Sequence, residues 1–236
     1  MQKLFENWNK FLNEEEGVET SSKKIFVLVG PPSVGKSHWI SSTFEEEPYI
    51  INRDDIANNV ADSMGWTYDD LFVAPPAEAK IGDVDEKYGT VVQSPAYMTW
   101  QPLSYDKVVE ANNKIHQLFT ERVGAAQPSG RDIVVDMTNM NARAREGALN
   151  AIDGAAEGDY KKIAVVFEFE GAEAVIKKIA AKRAEDARKE GRSKTIPPEV
   201  FDRMFKAFQA VDPGSEGFDE VVAVDNRETL RQLANS

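Results

Sequence analysis

Residues 30–37, Gly-Pro-Pro-Ser-Val-Gly-Lys-Ser, have the types and spacing that bind phosphate. They fit the pattern G-x-x-x-x-G-K-[ST], which follows a strand and precedes a helix. The backbone N–H groups of such a loop and the positive end of the helix dipole form a cradle for phosphate oxygens. The residues predicted to surround the nucleotide phosphates are Gly30, Ser33, Val34, Gly35, Lys36, Ser37 and His38.

Two side chains at the end of this loop have distinct predicted roles. Lys36 would neutralise charge on the β- and γ-phosphates, and the Ser37 hydroxyl would be a ligand of Mg²⁺. A chance glycine-rich turn is the alternative, but the apolar run Ile25–Val29 directly before the loop argues for a buried strand. The sequence therefore predicts a site for ATP and Mg²⁺.

Carboxylates follow two further apolar segments. Asp136 ends the apolar run that begins at Arg131, and Asp54 and Asp55 follow the short segment 48–52. An Asp at the carboxyl end of a strand beside the phosphate loop is placed to hold Mg²⁺ or its waters. Asp54 and Asp55 could be catalytic, or they could serve as helix caps.

These residues require elements that hold them together. Apolar strands are predicted at 25–29, 48–52, 131–136, 162–169 and 220–224, and helices at 36–44, 53–64, 104–123, 142–152, 171–189 and 198–210. Alternating strands and helices predict an α/β fold, with a parallel sheet and helices on both faces. We expect one domain over residues 23–236, with an irregular insertion at about 65–103 that forms a lid or a substrate wall.

Composition narrows the function classes. The chain has 236 residues, no cysteine, two histidines and a formal net charge of −12. Disulfides, thiolate metal sites and cysteine catalysis are excluded, and a general nucleic-acid-coating surface is disfavoured because phosphate backbones require local cations. The sequence has no apolar run long enough for a membrane span, and its N-terminus lacks the basic and then apolar segments of a secretion signal. We therefore expect a cytoplasmic protein.

Three elements occur in the same order as in a known family. They are Tyr-Ile-Ile-Asn-Arg-Asp-Asp at 49–55, Asp-Met-Thr-Asn-Met-Asn at 136–141, and Lys-Thr-Ile-Pro at 194–197 before Arg203. With the phosphate loop and Trp39, they make the chain similar to the kinase domain of bacteriophage 5′-hydroxyl polynucleotide kinase. The resemblance covers roughly residues 23–208, apart from the insertion at about 65–103.

The resemblance implies a P-loop kinase fold with a helical lid and a nucleic acid 5′-hydroxyl end as acceptor. It implies that Asp54 is the general base and that Asp136 orders the metal and substrate side. Arg53, Thr138 and Asn139 belong to the same motifs and are expected to bind substrate. The lid arginines that would clamp the phosphates are Arg183, Arg188 and Arg192. They lie in a basic stretch, 177–194, with eight Lys or Arg against three acidic residues, and its longer spacing leaves open which of Arg188 and Arg192 is the clamp.

The chain departs from the family at several positions. Ala57 stands where the family has an arginine that contacts the polynucleotide, and Ser33 and Val34 replace smaller residues. Two rival functions therefore stay open. One is a kinase for a small-molecule hydroxyl, such as a sugar, a nucleoside or a nucleotide sugar. The other is an ATP-binding switch without transfer activity. The oligomeric state is not predicted.

An amphipathic helix and linker are predicted at residues 1–22. The helix could dock on the core, or it could be a detachable tag. The segment is similar to short leaders of tailed-phage proteins that are clipped after Leu-x-Glu, here residues 12–14. A phage-encoded protein would act in the host cytoplasm.

Overall fold

The central element is a five-stranded sheet in which every neighbouring pair is parallel. The computed structural model describes residues 23–66, 68, 71, 81–85, 89–92, 105–155, 160–189 and 196–235. The strands of this sheet are β1 (Lys24–Val29), β2 (Tyr49–Asn52), β5 (Ile133–Asp136), β6 (Lys161–Phe167) and β7 (Glu220–Val224). Their order is β2-β5-β1-β6-β7, so the predicted α/β fold is confirmed.

The apolar run of β1 builds two cores. Ile25 and Val27 point to one face of the sheet, and Phe26 and Leu28 point to the other, as the two-residue period of a strand requires. All four side chains are essentially inaccessible to water. A strand covered on both faces is apolar throughout, which explains why β1 has no alternating pattern.

Helices cover both faces. Those of the described residues are α1 (Lys36–Thr43), α2 (Arg53–Ser63), α3 (Tyr105–Ala126), α4 (Ala142–Ala155), α5 (Glu173–Lys189), α6 (Pro198–Lys206), α7 (Pro213–Glu216) and α8 (Arg227–Asn235). One core includes side chains of α2, α3 and α4, and the other includes side chains of α1, α5, α6 and α8. No helix among the described residues is long and apolar enough to cross a bilayer.

Four elements were not predicted from the sequence. The final helix, α8, buries only Leu230 in a nine-residue segment, so its apolar signal is weak. The four-residue helix α7 begins at a proline. Strands β3 (Ile81–Asp85) and β4 (Gly89–Val92) form an antiparallel pair inside the insertion that was expected to be irregular. The rest of residues 72–104 and the predicted helix and linker at 1–22 lie outside the described residues.

Candidate active site

The order of the strands brings the predicted functional segments to one edge of the sheet. Strand β5 lies between β1 and β2, and Asn52 at the end of β2 pairs in register with Asp136 at the end of β5. The phosphate loop leaves the end of β1 on the other side of Asp136. Carboxyl ends of parallel strands are where such folds bind ligands.

The phosphate loop is held in an unusual backbone conformation. Ser33 has a φ of 63° and Gly35 a φ of 104°, and the left-handed region suits glycine because it has no Cβ. A Cβ on Gly35 would also lie 3.2 Å from Cγ2 of Thr229. The Gly30 N–H donates to the Thr138 carbonyl at 2.9 Å, which fixes the start of the loop to the end of β5.

A residue that sequence reasoning missed supports this loop from behind. Asn226, which is 3 % exposed, donates from Nδ2 to the Val34 carbonyl at 2.6 Å. The two residues are 192 positions apart, so no local pattern could have indicated the contact. The start of α8 thus supports the nucleotide loop.

Helix α1 presents its amino end to the loop. It begins at Lys36 without a side-chain cap and without an acidic residue in its first turn. The first N–H groups of a helix require acceptors, and an anion supplies them. The Lys36 ammonium donates to the carbonyls of Gly30 (3.0 Å) and Pro31 (3.3 Å) and lies 4.0 Å from Oδ1 of Asp136.

A cavity of about 770 Å³ lies above this edge of the sheet. It brings together residues from the phosphate loop, from the ends of β2 and β5, and from helices α2 and α5. Its lining includes the predicted residues Ser33, Gly35, Lys36, Ser37, Arg53, Asp54, Asp136, Thr138 and Arg183.

Asn52 has an unpredicted role at the start of α2. Its Oδ1 accepts hydrogen bonds from the N–H groups of Asp54 (2.8 Å) and Asp55 (3.3 Å), so Asn52 is the N-cap. Side-chain capping by Asp54 or Asp55 is therefore ruled out, although both lie in the first turn, where a negative charge favours the helix. Nδ2 of Asn52 also donates to Oδ2 of Asp136 at 3.1 Å, which connects α2 to the end of β5.

Two aromatic residues line the α2 side of the cavity. Trp66 and Tyr68 are both half-buried and pack against the core that includes Ile56 and Val60. The Tyr68 hydroxyl donates to Oδ1 of Asp54 at 2.9 Å. These aromatics contribute both to the core and to the cavity wall.

Helix α5 forms the opposite wall. Ala180, Arg183, Ala184 and Ala187 line the cavity at the spacing of one helical face. Arg188 is exposed and is not among the lining residues. Arg192 lies outside the described residues.

Besides Arg188, four predicted residues are not among those that line the cavity. Gly30 is buried at the start of the loop, the Val34 side chain belongs to the core, and His38 is exposed on α1. Asn139 is only 1 % exposed, and its Nδ2 donates to the Leu28 carbonyl at 2.9 Å. The structure therefore places Asn139 in a structural contact between strand ends, contrary to the expectation that it faces a substrate.

Comparison with known proteins agrees with this architecture. The family model AAA_33, described as an AAA domain, matches residues 25–211, which is most of the chain. The chain belongs to this family. No functionally curated protein matches it. Together with the phosphate loop and the parallel sheet, membership shows an α/β P-loop nucleotide-binding domain.

Similar solved structures include a proposed kinase from Chloroflexus aurantiacus j-10-fl, with 10% identity over 92% of this chain and 94% of that chain and a TM-score of 0.49. The Pnkp1/Rnl/Hen1 RNA repair complex has 18% identity over 82% of this chain and 46% of that chain, with a TM-score of 0.42. A gluconokinase from Sinorhizobium meliloti 1021 has 16% identity over 92% of this chain and 90% of that chain, with a TM-score of 0.34. At these scores the likenesses do not distinguish between acceptors.

The residues of this AAA_33 site suit Mg²⁺. Ser37 and Asp136 both line the cavity and supply a hydroxyl and a carboxylate oxygen. Mg²⁺ in kinases binds one or two protein oxygens and completes its octahedron with water and substrate phosphates. This pair therefore fits an ion that arrives with the nucleotide.

Proposed function

We propose that this protein transfers the γ-phosphate of ATP to a hydroxyl group, with Asp54 as the general base. One observation supports the proposal above all. A single cavity contains the phosphate loop and, on a separate wall, the carboxylate of Asp54. Phosphoryl transfer requires charge neutralisation around the phosphates and one proton acceptor near the attacking oxygen.

The acceptor oxygen attacks the γ-phosphorus while its proton passes to Asp54, and the bond from the γ-phosphorus to the bridging oxygen of ADP breaks. Lys36 and Arg183 offset charge on the phosphate oxygens, and arginine can bridge two oxygens at once. Mg²⁺, bound with the nucleotide by Ser37 and Asp136, would neutralise charge on the β- and γ-phosphates.

A polynucleotide 5′-hydroxyl is the first candidate acceptor. Its support is the motif at 52–55, from which Arg53 and Asp54 line the cavity, together with Thr138 of the second motif. The half-buried rings of Trp66 and Tyr68 could stack on a terminal base.

A small-molecule alcohol is the second candidate, and two observations favour it. Ala57 is 1 % exposed and belongs to the core, so position 57 offers no cation to a phosphate backbone. Asn58 and Asp62 continue the face of α2 that carries Asp54 along the cavity wall. Two carboxylates on this wall would repel a polyanion.

A non-catalytic ATP switch has less support. Such a module requires the phosphate loop but no carboxylate on the acceptor wall. Asp54 lines the cavity and is not the cap of its helix.

A transfer screen with γ-labelled ATP tests the proposal. The acceptors are a 5′-hydroxyl DNA oligonucleotide, a matched RNA oligonucleotide, and a panel of nucleosides, sugars and nucleotide sugars. Label should move to at least one alcohol, and Lys36→Ala should abolish the transfer while the variant stays folded. If the protein binds ATP but transfers label to none of these alcohols, the result would support the hypothesis of a non-catalytic ATP switch instead.

A further inference from the structure

Tyr68 reaches the proposed base from a part of the chain beyond the shared kinase motifs. It lies in the insertion at about 65–103, which the resemblance to polynucleotide kinases does not cover. Its hydroxyl donates to Oδ1 of Asp54 at 2.9 Å, across 14 positions of sequence. This contact spans the whole of α2, because Asp54 is in the first turn of the helix and Tyr68 follows its end.

The end of α2 explains how the chain returns. Gly65 has a φ of 71°, a left-handed conformation that ends helices and that glycine adopts without strain. The N–H of Gly65 donates to the Asp62 carbonyl at 3.0 Å, and the N–H of Trp66 donates to the Ala61 carbonyl at 2.9 Å. The helix therefore ends in a tight reversal at Gly65, and just beyond it the Tyr68 side chain reaches Asp54 at the amino end of α2.

Packing fixes the position of the returning residues. Trp66 and Tyr68 both pack against the core that α2 shares with α3, and both line the cavity. The ring of Tyr68 is thus anchored on apolar side chains while its hydroxyl meets the carboxylate. An aromatic ring with two rotatable bonds loses little entropy when it is held in this way.

The backbone and the carboxylate of Asp54 are held by different partners. Asn52 accepts a hydrogen bond from the Asp54 N–H at 2.8 Å, which fixes the backbone at the end of β2. Tyr68 binds one carboxylate oxygen, Oδ1. A donor on one oxygen limits rotation of the carboxylate.

We propose that Tyr68 is a positioning residue for the base: its hydroxyl orients the Asp54 carboxylate for uptake of the acceptor's proton. The inference rests on the proposed function of Asp54. It assigns the insertion a second role, because the segment that walls the acceptor side also completes the base.

A double-mutant cycle tests this coupling. The variants are Tyr68→Phe, Asp54→Asn and the double variant, assayed with γ-labelled ATP and the panel acceptor of highest turnover. Phenylalanine keeps the ring and its packing and removes only the hydroxyl. We expect Tyr68→Phe to lower kcat roughly tenfold, with the KM for ATP and the melting temperature close to wild type.

The decisive comparison is between the effect of Tyr68→Phe in the wild type and its effect in Asp54→Asn, which lacks the base. In Asp54→Asn, a further Tyr68→Phe change should alter kcat by less than about twofold, because a residue that acts through Asp54 has nothing left to orient. Unchanged kcat in Tyr68→Phe, or the same tenfold loss in both backgrounds, would overturn the proposal. Tyr160→Phe is the matched control. The Tyr160 hydroxyl is buried without a hydrogen-bond partner in the described structure and does not line the cavity.

The outcomes also separate this inference from the proposed function. If Asp54→Asn turns over at the wild-type rate, Asp54 is not the base and both proposals fail. If Asp54→Asn loses activity while Tyr68→Phe does not, the general base stands and only the role of Tyr68 is wrong.

Discussion

At the scale of single residues, Asn52 sets the geometry of the site. One side chain caps α2 through Oδ1 and donates to Asp136 through Nδ2. The proposed base and the proposed metal ligand are therefore held by the same amide. An aspartate at position 52 could cap the helix equally well, but it could not donate to a second carboxylate.

Residue type alone did not reveal this arrangement. The motif at 52–55 contains three residues that commonly cap helices, and only the observed backbone shows that the asparagine does so. The contact from Asn52 to Asp136 joins positions 84 apart. It depends on β2 and β5 being neighbours in the sheet, which the apolar runs do not specify.

At the scale of elements, the two described lid arginines of α5 lie on different faces of the helix. Arg183 lies on the face that lines the cavity together with Ala180 and Ala184, whereas Arg188, five residues later, is exposed and does not line it. Five residues turn a helix by about 140° from a whole number of turns. The helix can present Arg183 to the phosphates without presenting Arg188.

We therefore expect Arg183→Ala to lower kcat at least about tenfold and Arg188→Ala to leave it within about twofold. Both changes remove one exposed cation from the same helix, so Arg188→Ala is a matched control for net charge and helix propensity. Steady-state turnover with γ-labelled ATP measures both. The reverse order of effects would require a rotation of α5 on nucleotide binding and would contradict this assignment.

Element order was largely predictable because most strands are buried runs with a clear apolar signal. The four apolar strands β1, β2, β5 and β6 and the strand β7 all lie within a few residues of their predicted bounds. Helix α8 escaped prediction because a short amphipathic segment with one buried leucine differs little from a polar tail. The hairpin of β3 and β4 escaped because its segment has no apolar alternation.

At the scale of the whole molecule, a buried ion pair connects distant segments. The Arg145 side chain in α4 is completely buried, and its guanidinium contacts both carboxylate oxygens of Glu216 in α7, at 2.5 and 2.7 Å. It also donates to the carbonyls of Asn139, Gln209 and Ala210. Every branch of the guanidinium is satisfied, as a buried cation requires.

This pair predicts a dependence of stability on pH. The hydrogen bond from Arg145 holds the pKa of Glu216 below its ordinary value of 4.5. A carboxyl group with a lowered pKa in the folded state contributes stability that is present above the ordinary value and is lost as the pH falls through the folded-state pKa. The contribution of Glu216 to the free energy of unfolding should therefore decrease progressively below about pH 4.5.

Glu216→Gln measures that contribution. At pH 7 it should lower the free energy of unfolding by about 3 kcal/mol, because it leaves the buried Arg145 charge unpaired. The difference from wild type in denaturant unfolding should shrink in acid. Asp202→Asn, which removes an exposed pair with Lys177, is the control and should cost less than about 1 kcal/mol. An equal loss of free energy of unfolding in the two variants would contradict a strong contribution of the buried Arg145–Glu216 pair.

Asp54→Asn is the sharpest test of Asp54 as the general base of a phosphotransferase. Turnover and ATP affinity are measured on the same preparation, with Asp55→Asn as the control. Asp55 is an exposed carboxylate in the same helical turn, and it does not line the cavity. Because Asn52 is the N-cap of α2, both substitutions leave the cap of this helix in place.

A positioned general base contributes about 10² to 10⁴ in rate. Asp54→Asn should lower kcat by that range while the Kd for ATP changes by less than about twofold, and Asp55→Asn should leave kcat near wild type. Asp54→Asn with kcat within about threefold of wild type, well below the general-base range, would contradict the account.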